Sequence, residues 1–105
     1  PRRQARGRGA SVNSTIWKYP VQLGDFSLAM PVGAKVLAVQ PQGNAVCMWA
    51  EVNSDPDART ETRCFFIVGT GWEMAPHHRR YIATFQTQGG AFVWHLFEVN
   101  PEEKE

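Results

Sequence analysis

Four consecutive residues, His77, His78, Arg79 and Arg80, form the densest group of proton-exchanging and anion-pairing side chains in this sequence. Imidazoles change charge near neutral pH, and guanidinium groups grip carboxylates and phosphates with a planar fork of donors. A few residues upstream, Gly69–Thr70–Gly71 supplies flexible backbone N–H groups and a hydroxyl, the ingredients of a small anion-binding concavity. Thr70, His77, His78, Arg79 and Arg80 are therefore the candidate ligand-binding set, and the chemistry they suit is recognition of a small phosphate- or carboxylate-bearing molecule. The same residues also read as a strand terminator followed by a solvated loop. A phosphate loop of the Walker type is excluded, because the Lys and the long Gly spacing are missing and no clear helix follows.

Other chemistries are poorly supplied, and the expectation is a protein that is not an enzyme. Ser11, Ser14, Ser27 and Ser54 are not in a nucleophile-elbow pattern. Cys47 and Cys64 sit in apolar runs that predict two buried thiols rather than a Cys–His pair with His95. The Asp55–Asp57 acids and those of the C-terminal tail fall in solvated segments. Adjacent imidazoles in an extended segment point to different sides, so His77–His78 is a poor metal pair, and no Cys/His spacing matches a zinc site. Mid-strand His95 reads as a hydrogen-bonded structural histidine. No metal and no cofactor are expected.

The net charge of +1 hides a division along the chain. Arg2, Arg3, Arg6 and Arg8 make residues 1–14 a basic Arg/Gly arm, expected to be flexible and able to reach nucleic acid through phosphate contacts. Residues 15–100 carry six basic and seven acidic side chains, and residues 101–105 form an acidic tail. The N-terminus has no apolar stretch behind its arginines, so no secretory signal is expected in it. The longest apolar run, Ala45–Ala50, is far short of the roughly 20 residues of a membrane-spanning helix. Four Trp, two Tyr and six Phe could stack bases on exposed strands, but only Lys18, Lys35 and Arg63 accompany them there, so core packing is the better reading.

Positioning these residues falls to β-strands. Period-2 runs occur at Thr15–Val21, Phe26–Met30, Lys35–Gln40, Ala45–Val52, Arg63–Val68, Tyr81–Thr87 and Ala91–Val99, separated by Gly, Pro, Asn and Asp. Residues 72–80 contain Pro76 and have room for one helical turn. Gln88–Gly89–Gly90 marks the clearest hairpin, and Pro41–Asn44 another. The expectation is one all-β domain over residues 15–100, an antiparallel sandwich or small barrel of about seven short strands. Ala45–Val52, Arg63–Val68 and Ala91–Val99 are apolar on both faces. Either they are central in a two-layer fold, or the chain self-associates to cover them.

The blocks IWKYPV (16–21), PVGAKVLAVQ (31–40), MWAEV (48–52), FIVGTG (66–71) and YIATFQTQGGAFVWHLFE (81–98) together resemble a family of small proteins of tailed bacteriophages and prophages with no assigned activity. The resemblance implies a setting rather than a mechanism, namely the cytoplasm of a bacterial host or a virion, and it carries no catalytic set. The Arg/Gly arm departs from it. The functional expectation is a non-enzymatic accessory binding protein, oligomeric, that blocks a host factor or sequesters a small anionic ligand. The alternative is a virion structural or decoration protein whose arm contacts neighbouring subunits or DNA.

Overall fold

The computed structural model describes residues 12–100. Arg2, Arg3, Arg6 and Arg8 of the basic arm and the acidic tail 101–105 lie outside the described residues. Seven strands follow in order: β1 (Ser14–Val21), β2 (Gly24–Pro31), β3 (Lys35–Gln42), β4 (Ala45–Asn53), β5 (Thr60–Gly69), β6 (Arg79–Thr87) and β7 (Phe92–Val99), with a 3-10 turn at Gln88–Gly90. They form two antiparallel sheets, ordered β1-β4-β3 and β2-β5-β7-β6, packed as a sandwich. The expected all-β architecture is thus a sandwich rather than a barrel.

The proline positions follow the sheet order. Pro20, Pro31 and Pro41 lie in β1, β2 and β3, each the edge of its sheet, where a missing N–H need not break a ladder on both sides. The three runs that are apolar on both faces became β4, β5 and β7, the central strands. Their inner faces supply Met48, Ala50, Val52, Phe65, Ile67 and Leu96 to a core completed by Met30, Val39 and Phe85. Phe26 stacks on Phe65 across β2 and β5, with centroids 5.3 Å apart. Edge strands β3 and β6 lie against one another and bring the two sheets together along that side. Both carry a bulge, near Leu37 in β3 and near Ile82 in β6.

Two local expectations are corrected. Residues 72–78 hold no helical turn: Pro76 disfavours the helical conformation at Ala75, and the His77 N–H donates to the Ala75 carbonyl in a tight turn around the proline. Cys47 is buried as expected, but Cys64 is exposed. It faces outward from β5, opposite the small Ser27 of edge strand β2, and the β5–β7 register ends at Phe65↔Glu98, so neither neighbour roofs it. Cys47 also faces outward. Over it the Lys18 ammonium reaches Gln42 Oε1 at 2.7 Å, a hydrogen bond that crosses β4 diagonally between its neighbouring strands.

Tyr19 faces inward from β1, and its Oη is buried without a hydrogen-bond partner among the described residues. Burial raises its pKa, offset in part by the positive charge of Arg63. An unsatisfied buried hydroxyl carries a desolvation cost, so Tyr19→Phe is expected to stabilise the fold by about 1 kcal/mol. Thermal melts check this: a rise in Tm of roughly 4 °C is expected, and a fall would mean that the hydroxyl has a partner in solution.

Candidate functional site

Alternation along β5 and β7 fixes what the outer face of the four-stranded sheet displays. With Phe65, Ile67 and Leu96 in the core, Phe66, Val68, His95 and Phe97 point outward. The bulge near Ile82 then does something that simple alternation cannot. Tyr81 pairs with Phe97 and Thr84 pairs with His95, so residues three apart in β6 share one face. Tyr81, Thr84, His95 and Phe97 thereby become neighbours.

A directional hydrogen-bond chain crosses this face. Thr70 Oγ1 donates to the Val93 carbonyl at 3.2 Å, and its hydroxyl has one proton, so it accepts from His95 Nε2 at 2.7 Å. His95 Nδ1 is then the acceptor. It takes the Thr84 hydroxyl proton at 3.0 Å, and Thr84 Oγ1 accepts from Tyr81 Oη at 2.7 Å. The acceptor-only carbonyl at one end thus orders the direction of every bond and assigns the imidazole as the Nε2–H tautomer. His95 is half-buried and oriented on both sides by hydroxyls.

Beside this chain lies an aromatic strip. Phe66 stacks on Phe97 at 5.2 Å, Tyr81 meets Phe97 edge-on at 5.7 Å, and the His77 imidazole lies 5.8 Å from Phe66. The 72–78 segment returns over the sheet and leaves Phe66 only 5% exposed although it faces outward. The Arg79 guanidinium sits 5.6 Å above the Phe97 ring, a cation–π contact. Its Nη1 donates to the Ala75 and His77 carbonyls at 3.4 and 3.2 Å, while no hydrogen bond among the described residues uses Nη2 or Nε. This fork is held in place with donors to spare.

The sequence candidates are therefore divided. Thr70 and Arg79 stand at opposite ends of one strip, joined through His95, Thr84, Tyr81 and Phe97. His77 braces Phe66 at its margin. The His78 carbonyl pairs with the Asn100 N–H and so fixes the end of β7. Arg80, one residue on from Arg79 in an extended strand, points to the opposite face and does not join them. Sequence reasoning missed Tyr81 and Thr84, whose shared face depends on the bulge. It also missed that exposed Cys64 lines a cleft of about 350 Å³ with His77, Asp25 and Ser27.

Arg80 belongs to an ion cluster at the sandwich end. Arg63 Nε and Nη2 donate to the two Glu98 carboxylate oxygens at 2.7 and 3.1 Å, and Arg80 Nη2 donates to Oε1 at 2.7 Å. Arg63 Nη1 reaches the Ala34 carbonyl at 2.7 Å, tying the β2–β3 turn to the same cluster. Burial alone would raise the Glu98 pKa, but the hydrogen bonds and charges of Arg63 and Arg80 hold it below the ordinary carboxylate range. The hydrogen bond to Glu98 likewise holds the Arg63 guanidinium above its ordinary value, against its own desolvation. Two guanidinium groups share one carboxylate here, with Glu61 3.8 Å from Arg63 Nη1, and the cluster reads as structural.

Among the described residues, no group of three or more His, Cys, Asp or Glu is placed to hold a metal ion. No described helix is long and apolar enough to cross a membrane. A family model described as a domain of unknown function, DUF7352, matches residues 12–105. Neither the curated proteins nor the solved structures contain a match.

Proposed function

We propose that this chain, which belongs to the DUF7352 family, is a non-enzymatic binding protein whose outer sheet face takes a small ligand with a planar ring and an anionic group. The observation that carries this reading is Arg79, a guanidinium fixed over Phe97 with donors to spare, beside a Tyr81 ring that is 56% exposed. An aromatic face with an adjacent guanidinium suits a nucleotide-like molecule: the ring stacks, and the phosphate or carboxylate meets the fork. The hydroxyl–imidazole chain from Tyr81 to Thr70 orients the surface in advance and limits the ordering cost of binding. Sequestration of such a ligand is the role we propose, in the phage-infected cell that the sequence blocks imply.

Self-association is part of the same proposal. Ile16 on the outer side of β1, Trp17 on its inner side and Leu37 at the β3 bulge are 57%, 46% and 46% exposed, which leaves apolar surface open along both edge strands of the three-stranded sheet. Native mass spectrometry with adenosine and guanosine monophosphates as probes tests both parts. Saturable nucleotide adducts on a dimer or higher oligomer are expected, with Arg79→Ala and Tyr81→Ala each weakening binding roughly tenfold, as loss of a charge-assisted contact or a stacking platform does. Nucleotide binding that is absent from the wild type, or unchanged in Arg79→Ala, would overturn the ligand reading. A monomer at micromolar concentration would overturn self-association.

A further inference from the structure

At the end of the sheet beyond Thr70, two loops bring three aromatic rings together. The first is the turn that closes β5. The Trp72 N–H donates to the Gly69 carbonyl at 3.1 Å, and Gly71 has φ +89°, as the third residue of such a turn demands. The Thr70 N–H donates to the Val93 carbonyl at 3.1 Å and anchors this turn to β7. The Trp72 indole lies directly on the Gly69 backbone: a Cβ there would meet Nε1, Cε2 and Cδ1 at 2.9, 3.0 and 3.3 Å. The second loop is the Gln88–Gly90 turn, which starts β7 and sets Phe92 and Trp94 nearby. Trp94 is held in turn by donation from Nε1 to Thr87 Oγ1 at 2.9 Å.

The planes of Trp72 and Trp94 meet at 88° with centroids 5.5 Å apart, and Phe92 lies 6.2 Å from Trp94. The cleft they bound has a volume of about 310 Å³ and is otherwise lined by Gly69, Thr70, Ala91 and Val93, with no charged side chain. Trp72 and Phe92 are 55% and 49% exposed although their backbones are fixed. From this geometry we infer a second binding site, a cage for a small quaternary ammonium compound. The warrant is charge complementarity. The electron-rich rings of Trp72, Phe92 and Trp94 line the cleft and attract a diffuse cation, and no guanidinium or ammonium among the lining residues competes for them. A cleft of this size is at the small end of ligand sites and fits a compact alkylammonium. The site shares only Thr70 with the hydrogen-bond chain of the Arg79 face, whose ligand carries the opposite charge, and changes at Trp72 or Phe92 leave Arg79 and Tyr81 in place, so the two can fail independently.

The test is titration of intrinsic tryptophan fluorescence with tetramethylammonium chloride, against sodium chloride at matched ionic strength. Saturable quenching by tetramethylammonium alone is expected. The neutral isostere 2,2-dimethylpropan-1-ol should bind at least fivefold more weakly, and Trp72→Ala should lose tenfold or more. Phe92→Leu keeps apolar bulk without a ring and should lose about fivefold, which leaves the question decidable if Trp72→Ala fails to fold. Equal binding of the neutral isostere, no saturable quenching of the wild type, or unchanged affinity in Phe92→Leu would each overturn the cage. Choline should bind as well as tetramethylammonium. Tighter binding of N-acetyl-trimethyllysine amide than of choline would overturn the small-molecule assignment in favour of a modified protein side chain.

Discussion

Glu98→Ala is expected to destabilise the fold by about 3 kcal/mol, the cost of leaving a buried charge without its partner. The loss is not the energy of one ion pair. Glu98 is the shared acceptor for Arg63 and Arg80, and Arg63 is largely buried, with 11% of its side chain exposed. Without Glu98 the Arg63 guanidinium keeps its hydrogen bond to Ala34 and a distant 3.8 Å contact with Glu61, but no close counter-charge. Burying a charge without its partner is far more costly than the intact pair is favourable, so Arg63 must either move out or hydrate the end of the core. Arg80 is 62% exposed and can turn to solvent, so Arg80→Ala is expected to cost less than a third as much. Urea denaturation checks the ranking. Equal effects for Glu98→Ala and Arg80→Ala would contradict the burial argument.

The same residue sets a pH dependence. The folded-state pKa of Glu98 is held below its unfolded value, so its contribution is present in full above the ordinary carboxylate range and is lost as pH falls through the folded pKa. Wild-type stability should therefore decline below about pH 4.5, the ordinary value for this carboxyl. Glu98→Gln should start lower and show a shallower decline over that interval. Parallel acid profiles would remove Glu98 from the linkage.

The strands were legible because most of them obey alternation with turn residues between them, and the three two-faced apolar runs became the central strands β4, β5 and β7. What alternation could not reveal was which outward-facing residue would be roofed. Phe66 and Cys64 are both outward on β5, two residues apart. The first is buried under the returning 72–78 segment and the second is open, because that segment covers one and not the other. Cys47 is protected by a Lys18–Gln42 hydrogen bond between strands that are not adjacent, a contact that no local pattern announces.

The candidate site was half legible for a related reason. Composition found Thr70 and Arg79, since guanidinium and hydroxyl chemistry is visible in residue type alone. Strand alternation already implied that Arg79 and Arg80 would part, because adjacent residues face opposite ways. Tyr81 and Thr84 needed the bulge near Ile82, and a bulge in an apolar-aromatic run leaves no signature in residue type. His95 was read as hydrogen-bonded, and it is, but its partners are hydroxyls on an outer face rather than groups in the core.

Gly69→Ala is the second large effect, with an expected cost of about 2 kcal/mol. Gly69 is needed for space rather than for φ freedom, in contrast to Gly71 two residues later, whose positive φ does the opposite work. The added methyl would sit 2.9 Å from Trp72 Nε1, closer than a Cβ comes to a neighbouring atom in folded proteins, and 3.0 Å from Cε2, tighter than most such contacts. The indole is a rigid plane lying across the glycine, so making room moves the whole ring. Either the turn shifts or Trp72 swings away from Trp94, and overpacking of this kind costs roughly 1–3 kcal/mol. If contact with the indole is the cause, the cost should nearly vanish when Gly69→Ala is made in a Trp72→Ala background. A double-mutant cycle should then return a coupling of about 2 kcal/mol, within the range found for residues in direct contact. Additive losses would place the requirement for glycine in the backbone itself. The same cycle reports on the aromatic corner, since a turn that tolerates the extra methyl only without its indole is one whose residue types were set by holding Trp72 flat and half exposed.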